Sequence, residues 1–70
     1  MPSAVIASIH YFASRRELEI TFRSGRIYAF FDVPQEVVEK MRAAFSKGEF
    51  FNAHIRGVYR FERREPALVG

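Results

Sequence analysis

"EITFRSGRIYAFF", residues 19–31, decides how this chain folds. Ahead of Ser24-Gly25 the residues alternate, with Leu18, Ile20 and Phe22 on one side and Glu17, Glu19, Thr21 and Arg23 on the other. That is the period-2 signature of a strand buried on one face. After the pair, "RIYAFFDV" (26–33) sets large apolar side chains on both sides of a second strand. Gly25 accepts the positive φ of a primed turn, so Ser24-Gly25 reads as a two-residue hairpin turn. Such a turn sets Arg23 opposite Arg26, Phe22 opposite Ile27, Thr21 opposite Tyr28, Ile20 opposite Ala29 and Leu18 opposite Phe31. It predicts an inner face of Leu18, Ile20, Phe22, Ile27, Ala29 and Phe31, with Tyr28 and Phe30 on the outer face.

Working outward, "AVIASIHYF" (4–12) is apolar and β-branched and reads as a first strand. A four-residue loop at 13–16 pairs Ile9 with Ile20, placing Val5, Ala7, Ile9 and Tyr11 inside and Ile6, Ser8, His10 and Phe12 outside. Pro34 suits a first helical turn, and Asp32 with Gln35 resembles a capping box. Val33, Val37, Met41, Ala44 and Phe45 follow helical spacing, which predicts a helix over 34–45. Ser46 and Glu49 form a second start signal, for a short helix from about 47 to 56 that stops at Gly57. The remainder, 58–70, alternates briefly and is expected to fray after Arg64. The expected architecture is α+β: a three-stranded antiparallel meander followed by two short helices on one face, β-β-β-α-α. It forms a single domain over 1–70, with a core of about 3–64 and a disordered tail at 65–70.

Composition narrows the function classes. Apolar residues make up 49% of the chain, which excludes a disordered segment. No run approaches the ~20 apolar residues of a membrane span. "MPSAVIASIHYF" lacks the charged leader and clean apolar stretch of a signal peptide. The absence of cysteine removes disulfides and thiolate metal sites and points to a reducing cytoplasm. The formal net charge of +3 accommodates a polyanionic partner without requiring one, because acidic residues are scattered among the basic ones.

On the expected outer face, Ile6, Phe12, Tyr28 and Phe30 stand among Ser8, His10, Glu19 and Thr21. This face is too apolar for open water and too polar for a core. Three covers suit it: the chain's own tail with Tyr59 and Phe61, a second copy of the protein, or a ligand with flat faces such as nucleic-acid bases.

"SGRIYAFFDVP" followed by "SKGEFFNAHIRGVYRFERR" resembles the KTSC domain, a family named for the C-terminus of lysyl-tRNA synthetase. Its pattern is a Tyr-x-Tyr motif before Val-Pro, then a Ser-Lys-Gly, Phe-Asn and Ile-Arg-Gly segment. The likeness spans about residues 3 to 64. Phe30 stands in place of the second tyrosine, His10 where glycine is usual and Phe12 where aspartate is usual. The resemblance implies the fold and, through the fusion to the synthetase, a link to RNA; it implies no catalytic activity. Carried over by motif, the polar residues of interest are Ser46, Lys47, Gly48, Asn52 and Arg56.

Those residues read in two ways. Gly48 and Lys47 at a helix start leave backbone N–H groups for a phosphate, while Asn52 and Arg56, four apart on one helix face, grip a base edge or phosphate. Alternatively Ser46 only caps, Gly48 permits a bend and Arg56 pairs with Asp32 or Glu36. Arg23 and Arg26, opposed at the hairpin end beside Tyr28, would be relieved by an anion; Glu17 and Asp32 oppose each other at the far end of the same face. His10, beside Glu19 in this pairing, and His54 are isolated and make no metal site, and no nucleophile accompanies them. The reading is therefore a non-catalytic module with no cofactor or metal. It binds RNA or tRNA weakly through Tyr28, Phe30, Arg23, Arg26, Lys47, Asn52 and Arg56. The rival is a protein-interaction or homodimerisation module using the same aromatic face.

Overall fold

The computed structural model describes residues 5–64. Strands β1 (Ile6–Phe12), β2 (Glu17–Phe22) and β3 (Ile27–Phe30) form an antiparallel meander. Helix α1 (Gln35–Ala43) and the one-turn helix α2 (Lys47–Phe50) follow, and α2 runs on into a π-helical turn over Phe51–Ile55. A fourth strand, β4 (Phe61–Arg63), returns to the free edge of β3, giving a sheet of order β1-β2-β3-β4. The α+β class and the two-helix cover are as the sequence predicts; the sheet gains a strand from the alternating segment after Gly57. The expected disordered tail lies outside the described residues, as does Ala4 of the expected first strand.

The hairpin differs from expectation in a way that moves the candidate site. Gly25 N–H donates to Phe22 O at 2.8 Å, and Phe22 N–H donates to Arg26 O at 2.8 Å. The loop is thus three residues, Arg23-Ser24-Gly25, with Gly25 at φ +96° in the left-handed position of a bulged turn. Leu18 now faces Phe30 and Ile20 faces Tyr28, one residue away from the predicted pairing. Tyr28 and Phe30 therefore stand on the inner face, while Ala29 shares the outer face with Glu19. The alternation of β2 is satisfied by either loop, because only the face of β3 flips. Opposite Leu18 and Ile20 this register sets two aromatic rings, where the predicted one sets Phe31 and the small Ala29, and burying a further large side chain stabilises by ~1.5–3 kcal/mol.

Along the other edge, Ile9 pairs with Ile20 and His10 with Glu19 as predicted. Ile6 then faces Phe22 while Ser8 faces Thr21, so Ala7 is an extra residue in a bulge. That shift brings Ile6, not Val5, to the core side; Val5 is exposed.

The inner face packs Leu18, Ile20 and Phe30 against Val33, Val38, Met41, Phe51 and Ile55. Ser46 caps α2 through its Oγ, which accepts from Glu49 N–H at 3.1 Å. The expected Asp32 box does not form. Asp32 is left-handed (φ +58°), and extended Pro34 occupies the N-cap with no side-chain bond, so α1 begins at Gln35. Tyr11 Oη secures this corner by donating to Val33 O at 2.7 Å.

Candidate nucleic-acid interface

The helices leave part of the inner face open. Between the hairpin, β4 and the π turn lies a groove of about 820 Å³. Its walls are the rings of Phe22, Tyr28, Phe30, Phe51 and Phe61. Alternation within β3 sends Tyr28 and Phe30 to one side, and the β3–β4 register sets Phe61 opposite Phe30. The Tyr28 and Phe61 rings lie 17° from parallel with centroids 5.4 Å apart. Phe22 and Phe51 meet their neighbours edge-on: Phe22 to Tyr28 at 5.8 Å, and Phe51 to Phe30 at 5.5 Å. Phe30 is only 3% exposed and Phe51 is buried, so they form the floor, with Tyr28 partly open above them. Phe61 is 53% exposed and presents the most accessible ring of the groove.

Arg23, Arg26 and Arg56 rim the same groove, and among the described residues none that lines it is acidic. Arg23 lies in the turn and Arg26 faces Phe22, so the two arginines are not opposed across the hairpin as expected. Arg56 leaves the π turn and donates from Nη1 to Asn52 Oδ1 at 3.3 Å. Asn52 and Arg56 thus meet on one helical face as their spacing implies, and the alternative pairing of Arg56 with Asp32 or Glu36 does not form. The Asn52 amide steers the guanidinium without neutralising it. Lys47, exposed at the start of α2, is not among the groove residues.

The opposite face of the sheet carries the charges that are satisfied. Glu17, 4% exposed, accepts from Arg15 Nε at 3.2 Å and from Arg64 Nη1 at 2.6 Å. Arg64 Nε also donates to Glu62 at 2.7 Å. Chiefly the Glu62 hydrogen bond, with Glu17 behind it, holds the Arg64 guanidinium above its ordinary pKa despite partial desolvation. Arg60 and Arg64 lie over the Phe31 ring, and Arg15 lies 4.1 Å above Phe12. The predicted opposition of Glu17 and Asp32 is absent, because the one-residue shift of the β2–β3 register moves Glu17 away from Asp32, which lies outside the strands. Among the described residues, no cluster of three or more His, Asp or Glu side chains could hold a metal ion. Among the same residues, no helix is long and apolar enough to cross a membrane.

Of the seven residues singled out in the sequence, the structure brings five to one groove: Tyr28, Phe30, Arg23, Arg26 and Arg56. Asn52 stands behind Arg56 and Lys47 stands apart. Phe61 was seen only as a possible cover for the aromatic face. Its period-2 spacing with Tyr59 and Arg63 was the available signal for an edge strand.

The model of the KTSC domain matches residues 2–59. The chain belongs to the KTSC domain family. A segment of lysine–tRNA ligase from Nostoc punctiforme is 40% identical over 60 residues, covering 86% of this chain and 11% of that protein. An uncharacterized protein of Stutzerimonas stutzeri is 36% identical over 52 residues, covering 74% of this chain and 73% of that one. The crystal structure of a KTSC domain protein from Yersinia pestis superposes with a TM-score of 0.84 at 34% identity, covering 91% of this chain and 90% of that chain. The chain spans about a tenth of the length of the lysine–tRNA ligases it matches. Strand β4 follows the last residue of the KTSC match, so Phe61 and Arg64 lie beyond it.

Proposed function

We propose that this KTSC domain is a non-catalytic accessory module that binds RNA in the groove, acting in the reducing cytoplasm as a single domain. The observation that carries the reading is the union of accessible aromatic faces with three arginines in one groove, with no carboxylate lining it among the described residues. Aromatic rings receive bases by stacking, worth ~1–3 kcal/mol per base, and arginine forks receive phosphates. Homology to a segment of lysine–tRNA ligases favours tRNA among RNA ligands. With about three phosphate contacts to a single strand, the logarithm of affinity falls against that of salt concentration with a slope near −2. Fluorescence anisotropy with a labelled single-stranded RNA and with tRNA, from low to moderate salt, measures that slope. A salt-insensitive interaction, or none with either RNA, removes the reading.

The apolar exposure of Phe61 and Val5, both in the groove lining, favours a second reading, a protein-interaction or self-association surface on the same groove. A two-fold dimer through it would bring two sets of Arg23, Arg26 and Arg56 into one interface, which like-charge repulsion opposes. Sedimentation velocity across a concentration series decides: self-association that disappears in Phe61→Ala supports this second reading.

A further inference from the structure

The strand that carries Phe61 into the groove is paired with β3 and is also held from the opposite side of the sheet. Strand β4 has three residues, all exposed, and is bracketed by two backbone bonds: Phe31 N–H to Arg60 O at 2.9 Å and Arg64 N–H to Ile27 O at 2.7 Å. An edge so short is prone to fray. What ties it down is Arg64, which reaches across the far face to Glu17 in β2 while also gripping Glu62 of β4 itself. Glu17 is buried and further held by Arg15, so the anchor point is fixed. On the groove side, the same strand lays Phe61 almost parallel to Tyr28 at 5.4 Å and beside Phe30 at 5.6 Å.

Resting on the nucleic-acid reading above, we propose that the site takes an unpaired base lying on the Phe61 ring, its neighbouring phosphates on Arg23, Arg26 and Arg56. Arg64 is the positioning residue that sets the ring from behind. Phe30 and Phe51 are buried and Phe22 is held edge-on, so the exposed face of Phe61, backed by Tyr28, is the stacking surface left to a ligand. A base within a duplex has both faces already stacked and cannot use it; a single strand can splay one out.

The test uses the full chain and two short single-stranded oligonucleotides of abasic residues. One carries a single 2-aminopurine nucleotide at its centre and the other is abasic throughout, so their phosphates are identical. The wild type should bind the first about tenfold more tightly than the second, with quenching of the 2-aminopurine on stacking. Phe61→Leu, which keeps apolar bulk on an exposed edge, should erase that difference and the quenching while leaving abasic affinity and salt slope unchanged; Phe61→Tyr should restore both. Arg64→Ala should cut the base-dependent part several-fold, with Arg64→Lys intermediate, and should add nothing in the Phe61→Leu background. Full base preference in Phe61→Leu overturns the stacking assignment. Equal loss for both oligonucleotides in Arg64→Ala overturns the positioning role. A wild type that binds neither oligonucleotide overturns the nucleic-acid reading along with this inference, so the failures are distinguishable.

Discussion

On one face of the sheet, Arg64 and Arg15 converge on buried Glu17, and Arg60 and Arg64 lie on Phe31. On the other, Arg23, Arg26 and Arg56 rim an aromatic groove, and among the described residues no carboxylate pairs with them. The same residue type serves two ends because of what the strands place beside it. Glu17 and Glu62 sit at outward positions of β2 and β4, so the far-face guanidiniums are used up in holding strands together. The groove inherits aromatic rings from the inward positions of β3 and β4, and its cations come from a turn and a helix end. A satisfied arginine holds the fold together, whereas an unsatisfied one beside exposed rings is available to a ligand.

Substitutions on the two faces should therefore differ in what they cost. The largest effect is expected for Phe30→Ala, which should cost about 3–5 kcal/mol in urea unfolding if the ring is floor of the groove and part of the core. A loss under about 0.5 kcal/mol would return the ring to the solvent face and dissolve the groove. Next, Glu17→Ala should cost about 2 kcal/mol by leaving two guanidiniums without their buried acceptor, with groove binding weakened only through Phe61. Gly25→Ala should cost about 1 kcal/mol, since its φ of +96° is strained for a residue with a Cβ although nothing lies near enough to clash. The smallest change in stability, within about 0.5 kcal/mol, belongs to Arg23→Ala. In binding, that variant should flatten the salt slope by about 0.7, one phosphate's share. Arg23→Ala destabilising as much as Glu17→Ala would erase the distinction between the faces.

Much of the fold was legible because local rules and packing agree. The alternation of 17–22, the Ser46–Glu49 cap and the stop at Gly57 each name an element and give it an edge. The hairpin register was not legible from β2 alone. Glu17 and Glu19 stay on their own face whichever loop is chosen, so they carry no information about β3. The deciding term was non-local: Tyr28 and Phe30 fill space beside Phe51 that Ala29 could not. The candidate site survived this error in altered form. The aromatic residues singled out were those of the groove, but burial removed Phe30 as a platform and β4 supplied Phe61 in its stead. Glu17 looked like an ordinary outward carboxylate; its burial depends on Arg64, 47 positions away, a contact no periodicity announces.

On the proposed reading, one face of the sheet meets nucleic acid and the other does not. Amide and side-chain chemical shifts, recorded while a short single-stranded RNA is titrated into the labelled protein, test it most directly. Perturbations should cluster at Arg23, Arg26, Tyr28, Arg56 and Phe61, with Arg15 and Phe12 on the far face unmoved. Perturbations centred on Phe12, Arg15 and Phe31, or a spectrum that does not change at all, would contradict it.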